Sequence, residues 1–346
     1  MRNGTWLVTG GAGYIGSHTI VELIEAGYEL IVLDNFANSD PKVFERIRQI
    51  TGKNIPYIHA DILEQSTLER LFAKHERTGE PIQGVIHFAG LKSVAESVYD
   101  PLRYYTTNVE GTISLLRAMQ NTGVKRIVFS SSATVYGKPE FLPFTENHQI
   151  APINPYGRTK AQVEQILQDY CVADSEFSAI TLRYFNPIGA HSSGLIGENP
   201  RDIPNNLFPY ITQVASGKLD LLHVYGDDYP TADGTGVRDY LHIMDLAQGH
   251  VKAVEHMLRQ EVEGYEVYNL GTGMGTSVLQ MVERFSEVNK IQIPYTIQPR
   301  RSGDLAAYWA DSEKAQKILG WQANYTLDDM CRDGWQWQKN NPRGYG

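Results

Sequence analysis

Cysteine is almost missing from this chain: Cys171 and Cys331 are the only two in 346 residues, far apart and without metal-ligand spacing. That excludes a disulfide framework and a cysteine-built zinc site, and it predicts a reducing, cytoplasmic setting. Basic residues are not in excess, with 31 Lys plus Arg against 40 Asp plus Glu and a formal net charge of -9. A mild acidic balance argues against nucleic acid or an anionic membrane as partner, while leaving room for a local basic pocket around a phosphorylated ligand. No apolar run approaches the roughly 18 residues of a membrane span. Thr5-Trp-Leu-Val-Thr9 enters a strand pattern directly, without the apolar core of a signal peptide. Internal repeats and low-complexity segments are absent as well, which excludes a repeat array.

What is present is an alternation of strand and helix signals. Strands are predicted at Trp6–Val8, Leu30–Leu33, Pro56–His59, Gly84–Phe88, Arg126–Phe129 and Ser178–Leu182. Helices are predicted at Ile15–Ala26, Gln65–Lys74 and Pro101–Thr122, and from Asn154-Pro155, which supply an N-cap and a first-turn proline. Repeated strand-helix-strand units of this length predict an α/β fold with a doubly wound parallel sheet. Ligands then belong at the carboxyl ends of the strands. After Pro187 the pattern breaks into a stretch rich in Gly, Pro, Asn and Asp, expected to be a smaller, loop-rich, substrate-binding C-terminal domain. Val267–Leu270 is expected to return to the sheet, with further helices from Ser277 and Ser312. The expected division is therefore 1–187 plus a returning strand near 266–271, interleaved with 188–346.

Gly10, Gly13 and Gly16 lie three apart, after a strand and before a helix. Such spacing lets a pyrophosphate approach the backbone and sit on the helix N-terminus. Asp34 ends the next strand, where a carboxylate accepts from a ribose 2'-hydroxyl and repels a 2'-phosphate. NAD is therefore expected over NADP, and no arginine occupies Asn35 to Asn38 to argue otherwise. Asp61 has two readings, a contact to the adenine amino group or a cap on the following turn.

Tyr156 and Lys160 are four residues apart, on one helix face. An ammonium beside a phenol favours phenolate and makes the tyrosine a usable general base. Ser132, in the triple serine after the fifth strand, can bond the same substrate oxygen that the tyrosine deprotonates. Lys160 can also reach the nicotinamide ribose.

On these motifs the chain resembles the extended short-chain dehydrogenase/reductases, with their Rossmann-like fold, and within them the nucleotide-sugar epimerases. The resemblance runs through Thr9–His18, His87–Lys92, Ser130–Gly137, Pro155–Lys160, Leu182–Pro187, Ile203–Leu207, Asp233–Tyr240 and Arg300–Asp304. The first and fourth of these are shared by the wider superfamily; the others are more specific. It implies interconversion of UDP-galactose and UDP-glucose in galactose metabolism, through a transient 4-keto sugar and tightly held NAD. Tyr156 is then the base, Lys160 tunes its pKa, and Ser132 bonds the oxygen on carbon 4.

The implied cofactor set adds Tyr14, Ile15, Asn35, Asn38, Ser39, Ile62, Phe88, Ala89, Gly90, Lys92 and Phe185 to the residues above. Thr107 belongs to it as a departure, standing where paired asparagines are expected. The implied UDP-hexose set is Asn186, Asn206, Leu207, Arg238, Tyr240, Arg301, Asp304 and Tyr308. The two arginines suit the diphosphate, and Tyr308 narrows the hexose site against N-acetylated sugars. A homodimer through paired helices is implied too. The rival readings on the same scaffold are a nucleotide-sugar 4,6-dehydratase and a net NAD-dependent oxidoreductase. Dehydratases supply a carboxylate pair after the threonine of the serine motif, whereas Thr134 is followed here by Val135 and Tyr136.

Overall fold

The computed structural model describes residues 4–200, 204, 206–259, 262–301 and 303–346. Within the motifs above, Ile203, Asn205 and Ser302 therefore lie outside the described residues.

Strand β1 (Thr5–Thr9) is buried at every position. A continuous apolar run of this kind suits a parallel strand covered on both faces. It pairs in parallel with β2 (Glu29–Asp34) on one side and β4 (Ile82–His87) on the other. Beyond these lie β3 (Tyr57–His59), β5 (Arg126–Ser130) and β6 (Ser178–Tyr184), also in parallel. A seventh strand, Tyr265–Leu270, follows β6 at that edge. The strand order reverses at β1, between β2 and β4, which opens a crevice at the carboxyl ends. Register brings Thr9 level with Leu33 and His87, and His87 level with Phe129, so the residues that follow these strands emerge side by side.

The chain forms two compact units. The first comprises residues up to Gly137, Gln149–Arg183 and Ala247–Tyr268. One side of its sheet is filled by a cluster that includes Leu7, Leu33, Val85, Leu115, Ile127 and Leu167. The second comprises Lys138–His148, Tyr184–Leu246 and Asn269–Gly346. Its core includes Ile188, Phe208, Ile211, Met281, Phe285 and Met330, with short two- and three-stranded sheets.

The predicted strands are all present. The predicted single helix over Pro101–Thr122 is interrupted instead: helical Pro101–Tyr104 and Gly111–Thr122 flank a π-helical turn at Tyr105–Glu110. Helices at Val43–Thr51, Val94–Tyr99, Leu207–Ala215 and Ile243–Leu258 had not been expected. Among the described residues, no helix is long and apolar enough to cross a membrane.

Candidate active site

In the first unit, the turn after β1 is built for close approach. Gly10 has φ +70°, and a Cβ there would stand 2.6 Å from the Ala89 amide nitrogen. Gly13 is the N-cap of the helix Tyr14–Glu25, with no side chain capping it and no acidic residue in its first turn. A Cβ at Gly13 would meet only the Gly10 carbonyl, at 3.3 Å. The positive end of a twelve-residue helix is thus left without a side-chain cap or an acidic neighbour in its first turn, a fit for a pyrophosphate.

Asp34 is held by three donors: Ala12 N at 2.9 Å on Oδ2, and Phe36 N at 2.9 Å and Ser39 Oγ at 2.8 Å on Oδ1. A carboxylate so fixed, beside the glycine turn, is placed to accept from a ribose diol. Asn35 and Asn38 are exposed beside it, and Asn35 Nδ2 donates to Asp61 Oδ2 at 2.8 Å. Asp61 Oδ1 accepts from Leu63 N at 3.0 Å, so its turn-capping role is realised. Ile62 packs into the core. Tyr14 and Ile15 are half-buried on the first turn of the helix, and Lys92 is exposed.

The loop Phe88–Gly90 follows β4, with Phe88 N and Ala89 N both donating to Thr9 O. Asn108, from the π-helical turn, clamps it: Oδ1 accepts from Leu91 N at 2.7 Å, and Nδ2 donates to Leu91 O and Thr159 Oγ1, each at 3.0 Å. Thr107 is half-buried next to it. A π-turn at such a junction is a common mark of a functional site.

The helix that carries the candidate base runs Pro155–Ala173, capped by Asn154 Oδ1 accepting from Gly157 N at 2.8 Å. It carries Tyr156 and Lys160, both buried. Lys160 Nζ donates to Ser130 O at 2.7 Å and lies 4.8 Å from the Phe129 ring centroid and 5.9 Å from that of Tyr156. Burial pulls its pKa down to about 8, with the Glu164 carboxylate acting in the opposite sense. A lysine there is charged at neutral pH and sits beside the phenol it would tune. Ser132 Oγ accepts from Thr134 N at 3.2 Å and Thr134 Oγ1 at 3.0 Å. Those two bonds occupy its lone pairs and leave its own proton to donate.

The buried groups around this pair escaped the sequence reading. His87 Nε2 lies 2.9 Å from Thr112 Oγ1, whose proton goes to Asn108 O at 2.6 Å; the histidine therefore donates there. Its Nδ1, 2.7 Å from Thr9 Oγ1, then accepts. Burial, then the charge of Lys160, push its pKa down to about 3, so it stays neutral. One turn beyond Lys160, Glu164 accepts from Arg183 Nε at 3.1 Å and Nη2 at 2.5 Å, and from Ser131 Oγ at 2.5 Å. The only signal for it was the repeated four-residue step 156, 160, 164.

In the second unit, Arg238 and Tyr308 are register partners on adjacent parallel strands, Val237–Arg238 and Ala307–Tyr308. The guanidinium lies over the Tyr308 ring at 4.6 Å, and Tyr308 OH donates to Asn186 Oδ1 at 3.2 Å. Phe185 stands here too, its ring 6.0 Å from that of Tyr308. Tyr240, register partner of Asn186, has its pKa raised by burial against the lowering effect of Arg238. Arg301 bonds Asp304 Oδ2 at 3.0 Å and lies 4.9 Å over the ring of Tyr225, a residue not anticipated. Asn206 caps the helix Leu207–Ala215 through its backbone alone, with its side chain exposed, while Leu207 packs on the second core.

Asp239 underlies this cluster. Fully buried, it accepts from Thr272 N and Oγ1, Gly273 N and Ala310 N at 2.6–3.1 Å. Two forked cations, aromatic faces and an amide suit a diphosphate joined to a polar ring.

The sequence model of a family described as GDP-mannose 4,6 dehydratase matches residues 7–334. A UDP-glucose 4-epimerase of Bacillus subtilis is 55% identical over 339 residues, covering 98% of both chains. Among solved structures, the UDP-glucose-4-epimerase of Stenotrophomonas maltophila, with bound NAD and formylated UDP-arabinopyranose, superposes with TM-score 0.94 at 48% identity, covering 98% of this chain and 99% of that one. The enzyme of Bifidobacterium longum, in complex with NAD+ and UDP, gives TM-score 0.93 at 51% identity with the same coverage.

Proposed function

The chain belongs to the UDP-glucose 4-epimerase family, and from that premise we propose how its residues interconvert UDP-galactose and UDP-glucose. The protein is an NAD-dependent isomerase. The observation that carries the assignment of roles is the buried Tyr156–Lys160 pair, with Lys160 Nζ bonded to Ser130 O in the segment that leads into Ser132.

NAD fits the first unit, where the glycine turn and the anchored Asp34 would hold its pyrophosphate and adenosine ribose; when bound it takes up and returns a hydride. Lys160, charged at neutral pH, lowers the cost of phenolate at Tyr156. Tyr156 removes the proton from the hydroxyl on hexose carbon 4, and Ser132 donates to that oxygen as it becomes a ketone. Tyr156 then returns the proton to that oxygen in the other stereoisomer while Ser132 still donates to it, and because the hydride taken up is also given back, no net redox change accumulates.

The second unit is assigned the UDP-hexose. Arg238 and Arg301 hold the diphosphate while the 4-keto ring turns, and Asn186, Asn206, Tyr240 and Asp304 bond its polar groups. Tyr308, fixed by Asn186 and covered by Arg238, limits room at the hexose and favours glucose and galactose over their N-acetyl forms.

The dehydratase named by the matching family model is not favoured. Val135 is fully buried, and Tyr136 OH accepts from Arg183 Nη1 at 3.1 Å, so neither position after Thr134 offers a carboxylate. A homodimer is part of the proposal, supported by a row of exposed apolar residues on helices beside the catalytic helix: Val98, Tyr99 and Leu102. A cytoplasmic setting is supported by the scarcity of cysteine, with Cys171 and Cys331 both free.

The test is conversion of UDP-galactose to UDP-glucose by purified protein with no NAD added and no free NADH released. Tyr156→Phe should lower kcat by about 10²–10⁴-fold while UDP still binds. Near-normal turnover in that variant would remove Tyr156 as the base.

A further inference from the structure

The catalytic helix carries a third functional side chain one turn past Lys160, and we propose that Glu164, gripped by Arg183, is a positioning residue for Ser132. It acts through the Ser131 hydroxyl, and the inference rests on the reading of Ser132, Tyr156 and Lys160 as the reacting set.

The segment Ser130–Ser132 leaves β5 and is tied on three sides. Ser130 O accepts from Lys160 Nζ at 2.7 Å, Ser131 N donates to Leu182 O at 2.9 Å, and Ser131 Oγ donates to Glu164 Oε1 at 2.5 Å. Two of these ties come from one helix face, the face that also carries Tyr156. The serine hydroxyl and the phenol are therefore referred to the same rigid element, the arrangement that a shared substrate oxygen requires.

Glu164 and Arg183 have side chains only 3% and 4% exposed. Burial alone would lower the Arg183 pKa, but its bonds and attraction to Glu164 hold it above the ordinary value. Arg183 Nη1 donates to Tyr136 OH at 3.1 Å, and the guanidinium lies over that ring at 5.0 Å. A buried ion pair of this kind is commonly no more stabilising than apolar residues of equal volume. Stability alone thus does not account for it, whereas the bond to Ser131 does. Glu164 also opposes the loss of charge at Lys160.

The test uses full-length, NAD-loaded protein and UDP-galactose turnover per bound NAD. Ser131→Ala, which leaves the ion pair intact, should lower kcat by about 10- to 100-fold with KM within about twofold of the parent. Ser131→Thr, which keeps the hydroxyl, should restore most of the rate. Adding Ser131→Ala to Glu164→Gln should cost little further, because both changes cut one linkage. If Glu164→Gln leaves Arg183 unpaired and does not fold, the Ser131 series decides alone. Parental kcat in Ser131→Ala, or a loss that Ser131→Thr does not recover, overturns the positioning role. Tyr156→Phe separates the two levels. Should it turn over normally, the reacting set itself is wrong; should it be inactive while Ser131→Ala is unimpaired, only Glu164 is wrongly assigned.

Discussion

A histidine that must stay neutral beside a lysine makes stability depend on pH. Burial and Lys160 hold His87 at about 3 in the folded chain, against an ordinary value of 6.5. Below pH 6.5 the unfolded chain takes up a proton that the folded chain refuses, so His87's contribution is full above that pH and is lost as pH falls toward 3. At pH 4.5 the loss relative to pH 7 should be about 2–3 kcal/mol. Denaturant unfolding of the parent and His87→Gln at both pH values isolates it from the carboxylates. The parent should lose more by that amount, and equal losses would show that His87 does not resist protonation. At this scale the sequence was legible where spacing encodes chemistry. Tyr156, Lys160, Ser132, Asp34 and the three glycines could be read from position and type. His87, Glu164, Arg183 and Asp239 could not, because a charged or titratable side chain reads as solvated until its buried partner, tens of residues away, is known.

Among the elements, the turn from β1 into its helix tolerates little added bulk. A Cβ at Gly16 would lie 2.6 Å from the Gly10 carbonyl oxygen and 2.7 Å from Gly11 Cα. Both are backbone atoms, so relief requires the turn to open. Gly16→Ala should therefore cost about 1–3 kcal/mol of stability. It should also lower NAD content per purified chain, read from the absorbance of cofactor released on denaturation. Full NAD loading with unchanged unfolding would disprove the close-approach reading of that glycine. The strands were legible from short apolar runs, since a sheet buried on both faces writes them continuously. Two helices show what periodicity misses. In Pro101–Thr122 the apolar period continues through the π-turn, but Asn108, bonded to Leu91 and Thr159, and Thr112 Oγ1, bonded to Asn108 O, stabilise the local unwinding. Ile243–Leu258 escaped because several of its polar residues are buried. Asp245, for one, accepts from Asn324 N and Tyr325 N at 2.9 and 3.0 Å, which leaves only the half-buried Gln248, Lys252 and Glu255 as a narrow polar stripe.

For the whole molecule, the proposed dimer is argued from surface that the folded chain leaves uncovered. Tyr99 is 89% exposed, Leu102 77% and Val98 60%, all within five residues, while most large apolar side chains are buried. They lie on the helices Val94–Tyr99 and Pro101–Tyr104, and the catalytic helix packs beside both. Helix faces of this kind self-associate isologously, each copy presenting the same residues to the other. Large apolar and aromatic anchors at the centre of such a contact carry most of its energy. Tyr99→Lys with Leu102→Glu places charge on each copy where apolar contact is needed, and should weaken association by more than about 100-fold. Sedimentation velocity at micromolar concentration should then show a dimer for the parent and a monomer for the double variant. Because each chain holds its own Tyr156, Lys160 and Ser132, turnover per chain should survive in the monomer, with a lower melting temperature from exposure of the helices beside the catalytic one. A double variant that sediments as the parent does would place the dimer contact elsewhere on the surface.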